Sequence, residues 1–212
     1  MKHFITVGII ILLLLGLGVY WWTISPTGRI NEANTINPKI SLFSEEWNCS
    51  LLNDLLNSEF IVDYPKAVGY KETGVVNVTI ANSLRKIESD NIDSSVPCTI
   101  SLEVSVDIKE MIIEPGKRSI ESYSGAPFQN FIFKISPLVD GEEKGTIWIH
   151  ANISNWGGTK VERIPLFAVP FTTRVKSFFG IPPGSIRIIC AVITALAGLY
   201  LIFQEKLNKN RK

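Results

Sequence analysis

Histidine is scarce in this chain of 212 residues, which has only two. His3 lies near the N-terminus and His150 stands alone in the second half. A zinc site or a Ser-His-Asp triad needs histidine beside further ligands or a nucleophile, and the sequence offers no such cluster. A glycine-rich phosphate loop is also missing, since Gly157-Gly158 after Trp156 is typical of a turn. We therefore expect no catalytic residues, no metal site, no cofactor and no enzymatic activity.

Cysteine is nearly as rare, with three residues in the chain. Cys190 falls inside the apolar C-terminal stretch, where it is expected to be a small packing residue. Cys49 and Cys98 are the two cysteines outside the apolar ends, and an oxidising compartment would favour a disulfide between them. Two buried free thiols remain the alternative, because the sequence does not place their Cβ atoms.

A basic surplus is missing from the middle of the chain. From Thr23 to Gly184 there are 15 Lys and Arg against 19 Asp and Glu, whereas the two ends carry six basic residues and one acidic residue. Nothing in the middle would attract a phosphate backbone, so nucleic-acid binding is not expected. Its length of about 160 residues is enough for one domain with a substantial core.

Apolar residues are concentrated at the two ends of the chain. Phe4–Trp22 contains 19 residues without a charge, close to the roughly 20 that a membrane-spanning helix needs. Lys2 precedes this stretch, and three aromatic residues end it as an interfacial belt. A cleaved signal peptide is the rival interpretation, but cleavage favours small residues where this chain has large aromatic ones. We predict an uncleaved transmembrane helix.

A second spanning helix is predicted from Ser185 to Phe203. The basic tail that follows is expected to be cytoplasmic, and Lys2 places the N-terminus on the same side. Residues 23–184 would then lie outside a plasma membrane or a bacterial inner membrane. The predicted order is a cytoplasmic N-terminus at 1–3, a helix at 4–22, a stalk with a short helix at 23–59, a β-sandwich at 60–176, a linker at 177–184, a helix at 185–203 and a cytoplasmic tail at 204–212.

Small residues in the two apolar segments could let the helices pack closely, since association in lipid depends on close approach. Ala191 and Ala195 are spaced to line one face. The alternative is that each helix is only an anchor. The candidate packing residues are Gly16, Gly18, Ala191, Ala195 and Gly198.

The middle of the chain is predicted to be mainly β. Thr99–Ile108 alternates apolar and polar residues over ten positions, as a strand with one buried and one solvated face does. Phe60–Tyr64 and Val76–Ile80 give shorter strands. Phe131–Ile135 and Thr146–Ile153 are predicted to form a hairpin with a long loop. Seven or so short strands with regular turn signals indicate an immunoglobulin-like (Ig-like) β-sandwich.

Two further features complete the prediction. Pro165 and Pro170 interrupt the last strand, within Val161–Lys176, and so suggest an edge position. Ser44–Asn57 has a capping serine and a helical stripe of leucines, which predicts a short helix. This helix would cover the β-domain or, alternatively, dock a partner.

A resemblance follows from this strand order. The series of strands, with Glu114-Pro-Gly-Lys117 as a turn and Phe131-Ile-Phe-Lys-Ile-Ser-Pro137 as a strand, resembles bacterial membrane-anchored Ig-like modules, among them BatD-like proteins. The resemblance covers residues 60–176. It implies an extracytoplasmic recognition or scaffolding domain and brings no catalytic residues.

Two functions from different classes fit these observations. The first is a non-enzymatic membrane protein whose β-sandwich binds an unidentified protein partner or assembles a complex, with membrane lipid as its other contact. The second is a ligand sensor or transport accessory subunit that relays through its membrane helices. An enzyme would have to use the strand face that carries Trp148 and His150.

Overall fold

The computed structural model describes residues 2–24, 28–35, 49–82, 98–155 and 161–209. Two long helices bracket a β-rich body with one short helix. The helices are α1 (Lys2–Ile24), α2 (Ser50–Leu56) and α3 (Pro183–Lys209). The strands are β1 (Arg29–Thr35), β2 (Glu59–Pro65), β3 (Ala67–Gly69), β4 (Gly74–Ala81), β5 (Cys98–Ile108), β6 (Met111–Glu114), β7 (Arg118–Tyr123), β8 (Phe128–Pro137), β9 (Gly141–Asn155) and β10 (Val161–Lys176).

The strands form two five-stranded sheets that enclose one core. Sheet A has the order β1-β2-β4-β8-β6, and sheet B has the order β3-β10-β9-β5-β7. Aromatic pairs join β2 to β10 across the interior: the rings of Phe60 and Phe167 are 5.0 Å apart, and those of Tyr64 and Phe171 are 5.3 Å apart. The fold is therefore a β-sandwich, and the mainly β prediction is confirmed.

The strand at residues 99–108 is also confirmed, as β5. Its apolar positions are buried because they alternate toward the core, while β7 and β9 pair with its two edges. These buried side chains are Ile100, Leu102, Val104, Val106 and Ile108. β5 is thus an interior strand of sheet B, and its outward-facing residues lie between two neighbours.

The predicted hairpin of Phe131–Ile135 with Thr146–Ile153 is wrong. β8 pairs with β4 and β6 in sheet A, whereas β9 pairs with β5 and β10 in sheet B. The connection between them therefore crosses from one sheet to the other. Alternation identifies the buried face of each strand, but two such faces can meet across a core as readily as side by side. The pattern alone could not separate these arrangements.

The sandwich begins earlier than the sequence indicates. Residues 29–35, which were assigned to a stalk, form β1 and pair with β2 from Arg29–Pro65 to Thr35–Glu59. β7 was not predicted either. Both are edge strands of their sheets and carry few apolar residues, so their alternation is weak. Pairing with a stronger neighbour compensates for the weak local pattern.

The prolines of β10 occur where one side of the strand has no neighbour in the described residues. β9 pairs along nearly the whole of β10, whereas β3 pairs only with Arg174–Lys176. The register shifts between Pro165 and Phe167. The predicted edge character therefore holds for the part of β10 that contains Pro165 and Pro170.

The short helix is observed as α2, and its Leu52 and Leu55 are buried in the core. α2 therefore packs against the β-domain, as the simpler interpretation of its leucine stripe expected. The start of the predicted helix, including Ser44, lies outside the described residues, as does the whole of residues 84–97, between β4 and β5.

The two long helices lie against each other next to the sandwich. Arg187 of α3 donates a hydrogen bond from Nη2 to the carbonyl oxygen of Thr23 near the end of α1, at 2.9 Å. In the described residues one segment, Pro183–Phe203, is long and apolar enough to cross a membrane, where two spans were expected.

Candidate interaction site

Glu103 is an acidic residue on the outward face of β5, yet only 4% of it is exposed. Strand alternation directs its side chain away from the core, where a carboxylate is ordinarily solvated. Its cross-strand neighbours are His150 on β9 and Ile120 on β7. Side chains from both neighbouring strands therefore cover it, and the carboxylate is buried on the outside of the sheet.

The burial of Glu103 is compensated by hydrogen bonds. Arg163 of β10 donates two: Nη2 lies 2.9 Å from Oε1, and Nε lies 3.3 Å from Oε2. Asn152 donates from Nδ2 to Oε2 at 3.4 Å, and Nη1 of Arg118 lies 3.6 Å from Oε1. A bidentate Arg–carboxylate pair fixes the orientation of both groups. Four strands thus contribute to one polar centre.

His150 continues this network toward Trp148. Nη2 of Arg163 lies 3.3 Å from Nδ1 of His150. A guanidinium has no acceptor atom, so this hydrogen bond requires an unprotonated Nδ1. The rings of His150 and Trp148 stack with centroids 6.4 Å apart, and 40% of Trp148 is exposed. Arg163 therefore orients His150, and the imidazole ring in turn stacks against an exposed indole.

The electrostatics agree with this geometry. Burial alone would raise the pKa of Glu103, but the hydrogen bonds from Arg163 and Asn152 and the charges of Arg163 and Arg118 outweigh it and lower the pKa. Burial is the main reason that the pKa of His150 is lowered; the charge of Arg163 lowers it further, and Glu103 opposes both. At neutral pH the centre combines an ionised Glu103 with a neutral His150.

The rim of this site is apolar and cationic. Ile120 is 51% exposed, and the side chains of Arg118 and Arg163 are 62% and 52% exposed. Tryptophan and arginine are the residue types most enriched at energetically important positions of protein interfaces. We call this surface the Glu103 patch; its members are Glu103, Arg118, Ile120, Trp148, His150, Asn152 and Arg163.

The structure joins the two cysteines that were proposed as a pair. Cys49 and Cys98 form a disulfide with their Cα atoms 6.0 Å apart, and Cys190 is a buried free thiol. The bond connects the residue before α2 to the first residue of β5. It lies at the start of the strand that also carries Glu103.

The small residues proposed for helix packing are not all at the contact. A Cβ atom placed on Gly16 would lie 3.9 Å from Oγ1 of Thr194, whereas one on Gly18 or Gly198 would meet nothing within 4 Å. Ala191 and Ala195 are exposed. The contacting face of α3 is therefore offset from the predicted one, because the partner position for Gly16 is Thr194 and not an alanine.

Sequence reasoning found Trp148 and His150 but missed Glu103, Arg163 and Arg118. Glu103 was read as an ordinary solvated residue of β5, and the two arginines come from other strands, 15 and 60 residues further along the chain. The available signal was the position of a carboxylate in the middle of the ten-residue alternating stretch Thr99–Ile108. In the described residues there is no group of three or more His, Cys, Asp or Glu side chains that could hold a metal ion.

Comparisons with known proteins add a fold likeness only. No protein family matches the chain, and no curated protein matches it. Among solved structures, it is similar to the cupredoxin domain of amoB from Nitrosocaldus yellowstonii, with 12% identity and a TM-score of 0.24. The match covers 52% of this chain and 58% of that one. A likeness at this level carries no argument about function.

Proposed function

We propose that this chain is a non-enzymatic membrane-anchored protein that binds a protein partner through the Glu103 patch. The observation that carries the proposal is the fixed arrangement of Arg163 and Trp148 around a buried carboxylate. Both side chains are held before any partner arrives, which reduces the ordering cost of association. Surface arginines and tryptophans without such contacts would have to be immobilised on binding.

The proposed membrane arrangement uses both long helices. α1 would be a second span beside α3, supported by the uncharged stretch Phe4–Trp22 and by the contact of Arg187 with Thr23. The basic C-terminal tail and Lys2 favour the cytoplasm for both termini. The sandwich would then lie outside, which agrees with the Cys49–Cys98 disulfide. An Ig-like domain of the BatD-like type remains the proposed relationship, on the strand order alone.

A ligand-sensing or transport-accessory function has one observation in its favour. A cavity of about 600 Å³ opens beside β1 and β10, and Ile30, Tyr64 and Phe171 line it. Lys109, Lys144 and Asp107 line the same cavity, so the two lysines outnumber the one carboxylate and would suit a small anionic ligand. Replacing both lysines by glutamine should abolish the binding of such a ligand while leaving partner binding intact.

The binding proposal is tested by purification of the intact protein after crosslinking in its own host cells. The variants are Trp148→Ala together with Arg118→Ala, and Ile132→Ala as a control on the outer face of sheet A. Ile132 is 58% exposed, so its truncation removes an exposed apolar side chain from the opposite face of the sandwich. The patch variant should lose the crosslinked partner and the control should retain it. Equal retention by both variants would contradict the proposal.

Topology is tested separately. A reporter that works only in the cytoplasm should be active when fused after Lys212, and a cysteine at Glu142 should react with an impermeant reagent from outside. A shielded cysteine at residue 142 combined with an inactive reporter would show that the chain has the opposite orientation in the membrane.

A further inference from the structure

The turn between β10 and α3 has an unusual composition for its backbone. Backbone hydrogen bonds between Phe178 and Ile181, at 3.2 and 3.0 Å, close a turn with two central residues. These residues, Phe179 and Gly180, have φ of 51° and 74°. Two left-handed residues in succession favour Asn-Gly, and a bulky side chain is exceptional there. A large aromatic residue thus occupies a position that the backbone alone disfavours.

Phe179 is also nearly free of protein contacts. It is 91% exposed, the highest value among the large hydrophobic side chains in the described ranges. Its ring meets that of Phe178 edge to face, with centroids 4.9 Å apart, and 39% of Ile181 is exposed. Exposure of these apolar side chains to water is unfavourable, and exposed apolar patches typically mark sites that contact a membrane or another molecule.

The position of the turn along the chain indicates that the surface it contacts is a membrane. Pro183, the first residue of the segment that could cross a membrane, follows Ile181 by two residues. A chain extends by at most about 3.3–3.6 Å per residue, so Phe179 lies within roughly 14 Å of Pro183. The turn doubles back and brings it nearer. The polar layer of a bilayer adds roughly 5–7.5 Å on each side of the hydrocarbon, so the turn lies at or close to this layer.

A second exposed aromatic side chain lies near the same level. The hydrogen bond from Arg187 to the Thr23 carbonyl places the end of α1 beside the first turns of α3. Trp21, two residues earlier, is 76% exposed. Arg187 also lies 3.5 Å from Glu72 of the sandwich, measured from Nη2 to Oε1, and this contact ties the helices to the domain.

Cations adjoin the aromatic turn. The amide of Tyr70 donates to the carbonyl oxygen of Lys176 at 2.8 Å, so the Tyr70–Lys71 segment lies beside the last residue of β10. Nζ of Lys71 is 5.2 Å from the centre of the Tyr70 ring. Aromatic rings with neighbouring lysines are typical of side chains at the boundary between lipid and water.

We infer that Phe178, Phe179 and Ile181 insert into the outer interfacial layer of the lipid bilayer, with Lys71 and Lys176 against lipid phosphates. The occupant of this surface is lipid, and its insertion holds the sandwich in one orientation on the membrane. The inference rests on the proposed function, because it requires α3 to span the membrane.

The test uses the full chain reconstituted in nanodiscs, one copy per disc, with nitroxide labels on single cysteines in a Cys190→Ala background. The labelled variants are Phe179→Cys, Phe128→Cys and Leu196→Cys. Phe128 is a matched control, because it is also an exposed phenylalanine, at 68%. It pairs with Ala81 at one end of the β4–β8 ladder, whereas the Gly74–Ile135 pair at the other end lies close to Glu72, which contacts Arg187 of α3. Collision rates with oxygen, which concentrates in lipid, and with an aqueous nickel chelate report the depth of each label.

Insertion predicts an oxygen-to-nickel ratio several-fold higher at residue 179 than at residue 128. If the labels at 179 and 128 give the same ratio while residue 196 is in lipid, the inference fails and the membrane anchor stands. If residue 196 is exposed to water, the anchor itself fails. A high ratio at 179 that appears only when the protein is raised to two copies per disc would assign the turn to a contact with a second copy and would also overturn the inference.

Discussion

The two outer faces of the sandwich follow the same alternating pattern but are built differently. On sheet A, Arg29 pairs with Asp63 at 2.8 Å and Thr79 donates to Asn130 at 2.8 Å, and both hydrogen bonds are exposed. On sheet B, side chains from three other strands converge on Glu103, which is 4% exposed. Outward orientation therefore does not imply solvation, because side chains on neighbouring strands decide how much water reaches a residue.

The largest effect is expected from the Cys49–Cys98 disulfide, which fixes the start of the strand that carries Glu103. Replacing both cysteines by serine should lower the free energy of unfolding by about 3–4 kcal/mol, as expected for opening a loop with a sequence separation of 49. Denaturant titration measures this loss. Amide exchange should rise most at the Cys98 end of β5 and less in β4 and β8.

Free thiols at residues 49 and 98 in oxidised, purified protein would contradict that expectation. Cys190→Ala is the control, because it removes a cysteine that is not in the disulfide.

A smaller effect, specific to sheet B, is expected from Arg163→Met. The substitution leaves Glu103 buried without its bidentate partner, so it should cost about 1–3 kcal/mol of unfolding free energy. The matched Arg29→Met removes an exposed ion pair on sheet A and should cost less than about 1 kcal/mol. Thermal or denaturant unfolding of the two variants compares the faces directly, and equal losses would show that they do not differ.

The pH dependence of stability should separate the two groups of the polar centre. The pKa of His150 is lowered from its ordinary 6.5, so folding favours the neutral form and stability falls as the pH drops below that value. The pKa of Glu103 is lowered from 4.5, so its contribution is present above that value and is lost as the pH falls through the folded pKa.

His150→Gln should therefore reduce the loss of unfolding free energy that begins as the pH drops below 6.5. Glu103→Gln should reduce the further loss that occurs at pH values below 4.5. The readout is unfolding free energy measured from neutral pH downward. Thr79→Val on sheet A serves as a variant without a titrating group. If Glu103→Gln leaves the loss of unfolding free energy below pH 4.5 unchanged, the carboxylate is not held ionised by its arginines.

More of the fold than of the candidate site could be predicted from the sequence. Alternation located β5 and the burial of its five apolar residues, and the prolines correctly indicated the open side of β10. The site was missed because it depends on register: Glu103 lies opposite His150, and Arg163 opposite Asn152, only after β9 pairs with both β5 and β10. The sequence also did not predict that β8 and β9 belong to different sheets, for the same reason. No local pattern records which strand becomes the neighbour.

Site-specific photocrosslinking tests the central claim most directly, namely that the outer face of sheet B is the binding surface. A photoreactive amino acid is placed at Ile120 in the Glu103 patch or at Ile132 on sheet A, two isoleucines that are 51% and 58% exposed. The protein is expressed at its native level in its own cells and irradiated. We expect a discrete crosslinked product from residue 120 that disappears when Trp148→Ala is added, and none from residue 132. A product from residue 132 alone, or one from residue 120 that persists with Trp148→Ala, would contradict the account.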